Sequence, residues 1–198
     1  MLNQDILNAL KGYFASMQKT VTFVVQTGEH SKRDELVKFL SDIAGVSDNV
    51  QLEERDTQGE LRSSISFLLE ADGEDTGIRF SGIPGGHEFN SMVLAILHAS
   101  GTELKIDDSL KSIVKGVKED LHFEVFISLS CHNCPDVVQA VNQFALLNPH
   151  IEAEMIEVNT CVERIQRCEL KAMLLETFPG GVSRNVAFNI NKEIKDIP

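Results

Sequence analysis

The stretch "FEVFISLSCHNCPDVVQAVNQFALL", residues 123–147, lies without gaps over "VTFVVQTGEHSKRDELVKFLSDIAG", residues 21–45, at an offset of 102 positions. Each begins with a β-branched and apolar run, the composition of a buried strand. Each then passes through a short polar turn into apolar residues at helical spacing. These are Leu36, Val37, Phe39, Leu40 and Ile43 in one copy, and Val137, Val138, Val141, Phe144 and Leu147 in the other. The copies differ at the turn. Cys131, His132 and Cys134 stand where the earlier copy has Glu29, His30 and Lys32.

The surroundings repeat the same plan. "MLNQDILNALKGYFASMQKT" precedes the first strand, with Leu2, Ile6, Leu7, Leu10, Phe14 and Met17 at three- and four-residue steps. That is an amphipathic helix. "DDSLKSIVKGV" precedes the second strand in the same way. "NVQLEERD" and "IEAEMIEVN" follow the two helices as further strands, and the first copy continues into "SSISFLLEA", "TGIRFSG" and the helix "HEFNSMVLAILHAS". A repeat of half the chain length predicts two copies of one α/β unit, at residues 1–101 and 102–198. A CxxC at the strand-to-helix turn of a βαβ pattern is a thioredoxin-like redox motif. The expected fold is therefore two tandem thioredoxin-like units, only the second with redox thiols.

The spacing gives the thiols distinct tasks. Cys131 falls just before the helix, where unpaired N–H groups and the positive helix end favour a thiolate. Cys134 falls further in, within reach for a disulfide and less exposed. Cys131 is then the attacking thiol and Cys134 the resolving one. Pro135 sits in the first turn, where a missing N–H costs little. A protonated His132 would stabilise the neighbouring thiolate; its plain alternative is an exposed turn residue. Zinc competes, but a structural site wants four ligands. Cys161 and Cys168 in "CVERIQRCEL" are seven apart, which is no zinc-knuckle spacing. They fit better as core positions of one helix.

Composition narrows the class further. The net charge of −12 opposes binding to nucleic acid or an anionic membrane. There is no tryptophan and one tyrosine, so base-stacking surfaces are scarce. No apolar run approaches the roughly 18 residues of a membrane span. The N-terminus lacks the basic and apolar regions of a signal peptide. A cytoplasmic location is expected, where a cysteine pair is more often catalytic than a structural staple. No GxGxxG or GxxxxGK[ST] is present, and "GIPGG" fits a turn before a helix, so no nucleotide cofactor is expected on this chain.

Two segments carry a family resemblance. "RFSGIPGGHEFNSMVLAIL", residues 79–97, and "FISLSCHNCPDVVQAVNQFALLNPHIEAEMI", residues 126–156, resemble the N-terminal domain of the alkyl hydroperoxide reductase flavoprotein. The likeness covers roughly residues 1–157. It implies two fused thioredoxin-like folds in which Cys131 and Cys134 are the redox pair. It implies electron flow from the dithiol of an FAD- and NADH-binding reductase portion to the disulfide of a peroxiredoxin partner. It also matches Glu88 to a glutamate of a "GHEF" motif near the thiols, able to exchange protons with them; the plainer role of Glu88 is a helix-start acid favoured by the dipole.

Past residue 157 the pattern departs from the family. A cis-proline beside the thiols is expected there. Leu174 occupies its place in an ungapped alignment and Asn185 in one with an insertion, while Pro179 has the context of a turn. Two other functions compete with the relay: a general protein disulfide reductase or isomerase, and a non-catalytic docking module.

Overall fold

The computed structural model describes residues 2–161 and the backbone of residues 187–190. Helix α1 (Gln4–Phe14) starts at Asn3, whose side chain accepts the Ile6 N–H at 2.9 Å, an N-cap that satisfies one orphan donor. Then come β1 (Val21–Gln26), α2 (Arg33–Ala44), β2 (Val50–Arg55), β3 (Ser66–Ala71), β4 (Glu74–Ser81) and α3 (Glu88–Ala99). The second set is α4 (Asp108–Gly116), capped by Asp107, then β5 (Leu121–Ile127), α5 (Cys134–Leu147), β6 (Ile151–Glu157) and β7 (Ala187–Ile190).

The seven strands among the described residues form one sheet in the order β2-β1-β3-β4-β6-β5-β7. In each set a helix carries the chain from one strand to a parallel neighbour: β1 to β2 through α2, and β5 to β6 through α5. Each first strand also pairs antiparallel on its other side, β1 with β3 and β5 with β7. The offset of 102 read from the sequence holds in three dimensions. Leu36, Leu40 and Ile43 are the buried residues of α2, and Val138, Asn142 and Ala145, each 102 positions on, are buried in α5.

The two sets meet where β4 pairs parallel with β6, Ile78 to Ala153 through Ser81 to Ile156. The approach is close. A Cβ on Gly77, whose φ is +76°, would lie 2.6 Å from the Ile151 carbonyl oxygen, so this position needs glycine. One row of the sheet is apolar from β1 to β5. Val25, Phe67, Phe80, Met155 and Val125 are successive partners across it and join one core with Leu36, Leu40, Met92, Ile96 and Val138. Phe67 and Phe80 stack at 5.1 Å. Each such fully buried side chain contributes about 2 kcal/mol.

The adjacent row, on the opposite face, changes character along the sheet. Val24 and Leu68 are covered by Leu61, but their successive partners are Arg79, Glu154 and Glu124. Arg79, almost fully buried, donates to Asp75 and Glu152 at 2.9 Å each. His122 bridges Glu152 at 2.8 Å and Glu154 at 3.3 Å. Ser81 donates to Glu154, and Arg62 pairs with Glu124 at 3.2 Å. Burial alone would push His122 down, but its two carboxylate hydrogen bonds win and raise it to about 9. Near neutral pH it is therefore a cation, closing an ionic network between the sets. Among the described residues no helix is long and apolar enough to cross a membrane.

Candidate functional site

The turn between β5 and α5 brings two of the anticipated residues together. Cys131 and Cys134 are joined as a disulfide, with Cα atoms 5.6 Å apart. Cys134 is the first residue of α5, so it lies nearer the helix start than the spacing suggested; Cys131 lies in the turn before it. The turn is held by the Cys131 N–H donating to the Ser128 carbonyl at 2.8 Å. Asn133 is the N-cap residue but makes no side-chain cap bond, and Pro135 occupies the first turn. The sulfurs therefore sit where the helix leaves N–H groups unpaired, a setting that favours a thiolate once the bond is reduced.

Exposure departs from expectation. Cys131 was expected to be the open thiol, yet it is 1% exposed and Cys134 is 0% exposed. One cause is the first set of elements, whose 82–88 turn is packed against the cysteine turn. A Cβ on Gly86, at φ +55°, would lie 2.8 Å from the Leu129 carbonyl oxygen. Beside it the His87 ring rests on that of His132, centroids 4.4 Å apart. His132 is exposed, as its plain reading required, but it has this ring partner. His87 was not picked out from the sequence, although it directly precedes Glu88.

Glu88 opens α3 and is 0% exposed. Burial raises its carboxyl above the usual carboxylate range, and the Ser91 hydroxyl works in the opposite direction. Even so, neither carboxylate oxygen is in a well-formed hydrogen bond among the described residues. Ser91, one turn on and also 0% exposed, accepts from Gln139 Nε2 on α5 at 3.2 Å. Contacts at 87–132 and 91–139 place the starts of α3 and α5 side by side. The buried residues of α3 are Glu88, Ser91, Met92, Val93, Ala95, Ile96 and Ala99, while Phe89 meets Phe39 of α2.

The matching turn of the first set carries no thiols. Arg33 there donates to the Gln26 carbonyl at 3.0 Å and pairs with Glu54 at 2.8 Å. Cys161 is buried, as its core reading required. Cys168, Leu174, Pro179 and Asn185 lie outside the described residues, and so does the expected cis bond; among the described residues no peptide is cis.

A disulfide at the start of a helix, in a repeated β-α-β frame, defines the class: a tandem thioredoxin-like redox protein. A protein disulfide oxidoreductase from Aeropyrum pernix K1 shares this fold, with a TM-score of 0.75 at 20% identity over 96% of this chain and 85% of that one. The NTD_N/C domain of the alkylhydroperoxide reductase AhpF from Enterococcus faecalis V583 has a TM-score of 0.79 at 31% identity, covering 96% of this chain and 91% of that domain. The corresponding component of alkyl hydroperoxide reductase from Staphylococcus epidermidis is 43% identical over 157 residues, 79% of this chain. The chain belongs to the alkyl hydroperoxide reductase AhpF family and corresponds to its N-terminal domain. It spans 30% of the length of that curated relative. No family model matches the chain.

Proposed function

We propose that this chain is the dithiol relay of an alkyl hydroperoxide reductase system. In this reading Cys131 and Cys134 take two electrons from a flavoprotein dithiol and pass them to the disulfide of a peroxiredoxin. The observation that carries the proposal is the Cys131–Cys134 disulfide at the start of α5, in a fold shared with the AhpF N-terminal domain. Residues 1–101 and 102–198 are then the two units, the first without redox thiols. The FAD and NADH chemistry belongs to a reductase portion outside this sequence, and the cytoplasm is the compartment that suits a cycling pair.

The steps follow from thiol–disulfide exchange. The Cys131 thiolate attacks one sulfur of the partner disulfide; that bond breaks, and the other partner sulfur leaves as a thiolate. The Cys134 thiolate then attacks Cys131 Sγ, breaking the mixed disulfide and releasing the second partner sulfur. Two electrons have moved, and the Cys131–Cys134 bond has re-formed. A buried Glu88, its carboxyl raised above the usual carboxylate range by burial, is suited to give a proton to a leaving thiolate and recover it when the pair is reloaded. His132 lies between the two thiols in sequence and serves as a supporting residue of the same turn.

The near-complete burial of both sulfurs adds a requirement: the His87–His132 corner must open for a partner sulfur to reach Cys131. The test is stoichiometric. The reduced protein is mixed with an oxidised peroxiredoxin, and the thiols transferred are counted. Two thiols per chain are expected to appear on the peroxiredoxin. No transfer, or equally fast transfer to unrelated protein disulfides, would sink the dedicated relay.

A further inference from the structure

The Glu88 carboxyl poses a problem that the relay leaves open. It is fully buried, and neither oxygen has a well-formed hydrogen bond among the described residues. That arrangement suits a neutral acid. A carboxyl that gives up its proton must be met by a donor, because an unsolvated buried carboxylate is very costly. The start of α3 supplies only backbone N–H groups and a partial positive charge, and His87 at the N-cap makes no side-chain cap bond.

Ser91 is placed to answer this need. It lies three residues after Glu88, on the same face of α3. Its oxygen accepts the Gln139 N–H at 3.2 Å. An amide N–H can only donate, so this contact occupies a Ser91 lone pair and leaves the Ser91 O–H hydrogen to point elsewhere. The Gln139 amide is carried by α5, where Gln143 Nε2 donates to the Gln139 main-chain carbonyl at 3.2 Å. A donor from α5, which begins at Cys134, thus reaches Ser91, which shares a face of α3 with Glu88.

We infer that Ser91, held by Gln139, is the positioning residue that receives the Glu88 carboxylate once that carboxyl has given up its proton. On ionisation the Ser91 O–H turns onto a Glu88 oxygen while its own oxygen stays bound to Gln139. The protonated acid and the ionised acid are then both tolerated in the same dry corner. The other titratable groups of this corner are His87, next to Glu88 in the chain, His132 against it, and the thiols of Cys131 and Cys134. The inference deepens the proton role proposed for Glu88 and rests on it only for its consequence in catalysis.

The experiment separates the two. Infrared difference spectra follow the carboxyl C=O band of Glu88 against pH, assigned by its loss in Glu88→Gln. Ser91→Ala is expected to move the ionisation midpoint to higher pH, because the charged form has lost its donor. Ser91→Thr, which keeps a hydroxyl, restores it, and Gln139→Leu moves it in the same direction by less. An unmoved midpoint in a folded Ser91→Ala protein, confirmed by unchanged far-UV circular dichroism, overturns the inference. The rate of disulfide exchange against pH is then measured on the same variants. If the carboxyl band responds to Ser91 but the exchange profile does not, the Ser91 assignment stands and the acid–base role of Glu88 falls.

Discussion

The two strand–turn–helix segments, β1–α2 and β5–α5, share a frame and differ in what surrounds it. In the first, α2 lies on the sheet with Leu36, Leu40 and Ile43 inward, and its turn is tied down by Arg33. In the second, α5 is flanked by α3, and its buried residues include Asn142 and Gln143 beside Val138 and Ala145. Asn142 occupies the place of Leu40, and among the described residues its amide has no hydrogen-bond partner. The unit with the thiols thus has the helix with the more polar buried face, and the unit without them sets His87 against His132 and Ser91 against Gln139.

The strongest way to break this comparison is at the thiols. Cys131→Ser and Cys134→Ser should each reduce disulfide exchange to background. Only Cys134→Ser should trap a mixed disulfide with the partner, seen as a higher-mass band on a non-reducing gel; trapping by Cys131→Ser instead would reverse the assigned roles. The next effect is in the first unit. Leu40→Asn, which copies the second unit's residue into a site that is 0% exposed, should cost about 4 kcal/mol in urea unfolding. A loss under about 1 kcal/mol would mean that the two helices are interchangeable inside.

The junction between the units tests pH. His122 is raised in the folded state to about 9, so its contribution is complete below its ordinary value near 6.5 and is lost as pH climbs through 9. Stability should fall by up to about 3 kcal/mol across that window, and His122→Gln should flatten the fall. A flat wild-type profile would remove His122 from the account of the junction. The smallest effect is expected from Asn142→Leu, which removes an unpartnered buried amide and should raise stability by about 1–2 kcal/mol. A decrease instead would show that the amide is engaged by something that leucine cannot replace.

The repeat was legible because strand and helix periods survive in both copies, with Leu36, Leu40 and Ile43 of α2 and Val138 and Val141 of α5 buried as the periodicity predicts. The cysteine pair was legible because its spacing and its place before a helix are local features. The polar seam was not. Gln139, Asn142 and Gln143 on a helix look like a solvated face, yet Asn142 and Gln143 are buried and Gln139 meets Ser91 of α3. His87 escaped notice for the same reason, since its ring partner is 45 positions away in the chain.

Legible in the sequence alone were the α/β repeat, the CxxC pair and the family, since each rests on periodicity or on local stretches of chain. The tertiary structure decided that the two units share one sheet through β4 and β6, that Arg79 and His122 neutralise carboxylates there, and that a carboxyl from one unit lies buried in the corner where the other unit's redox helix begins. Those outcomes depend on which edges and faces meet. Burial and ionic pairing are properties of that meeting, and no single segment contains them.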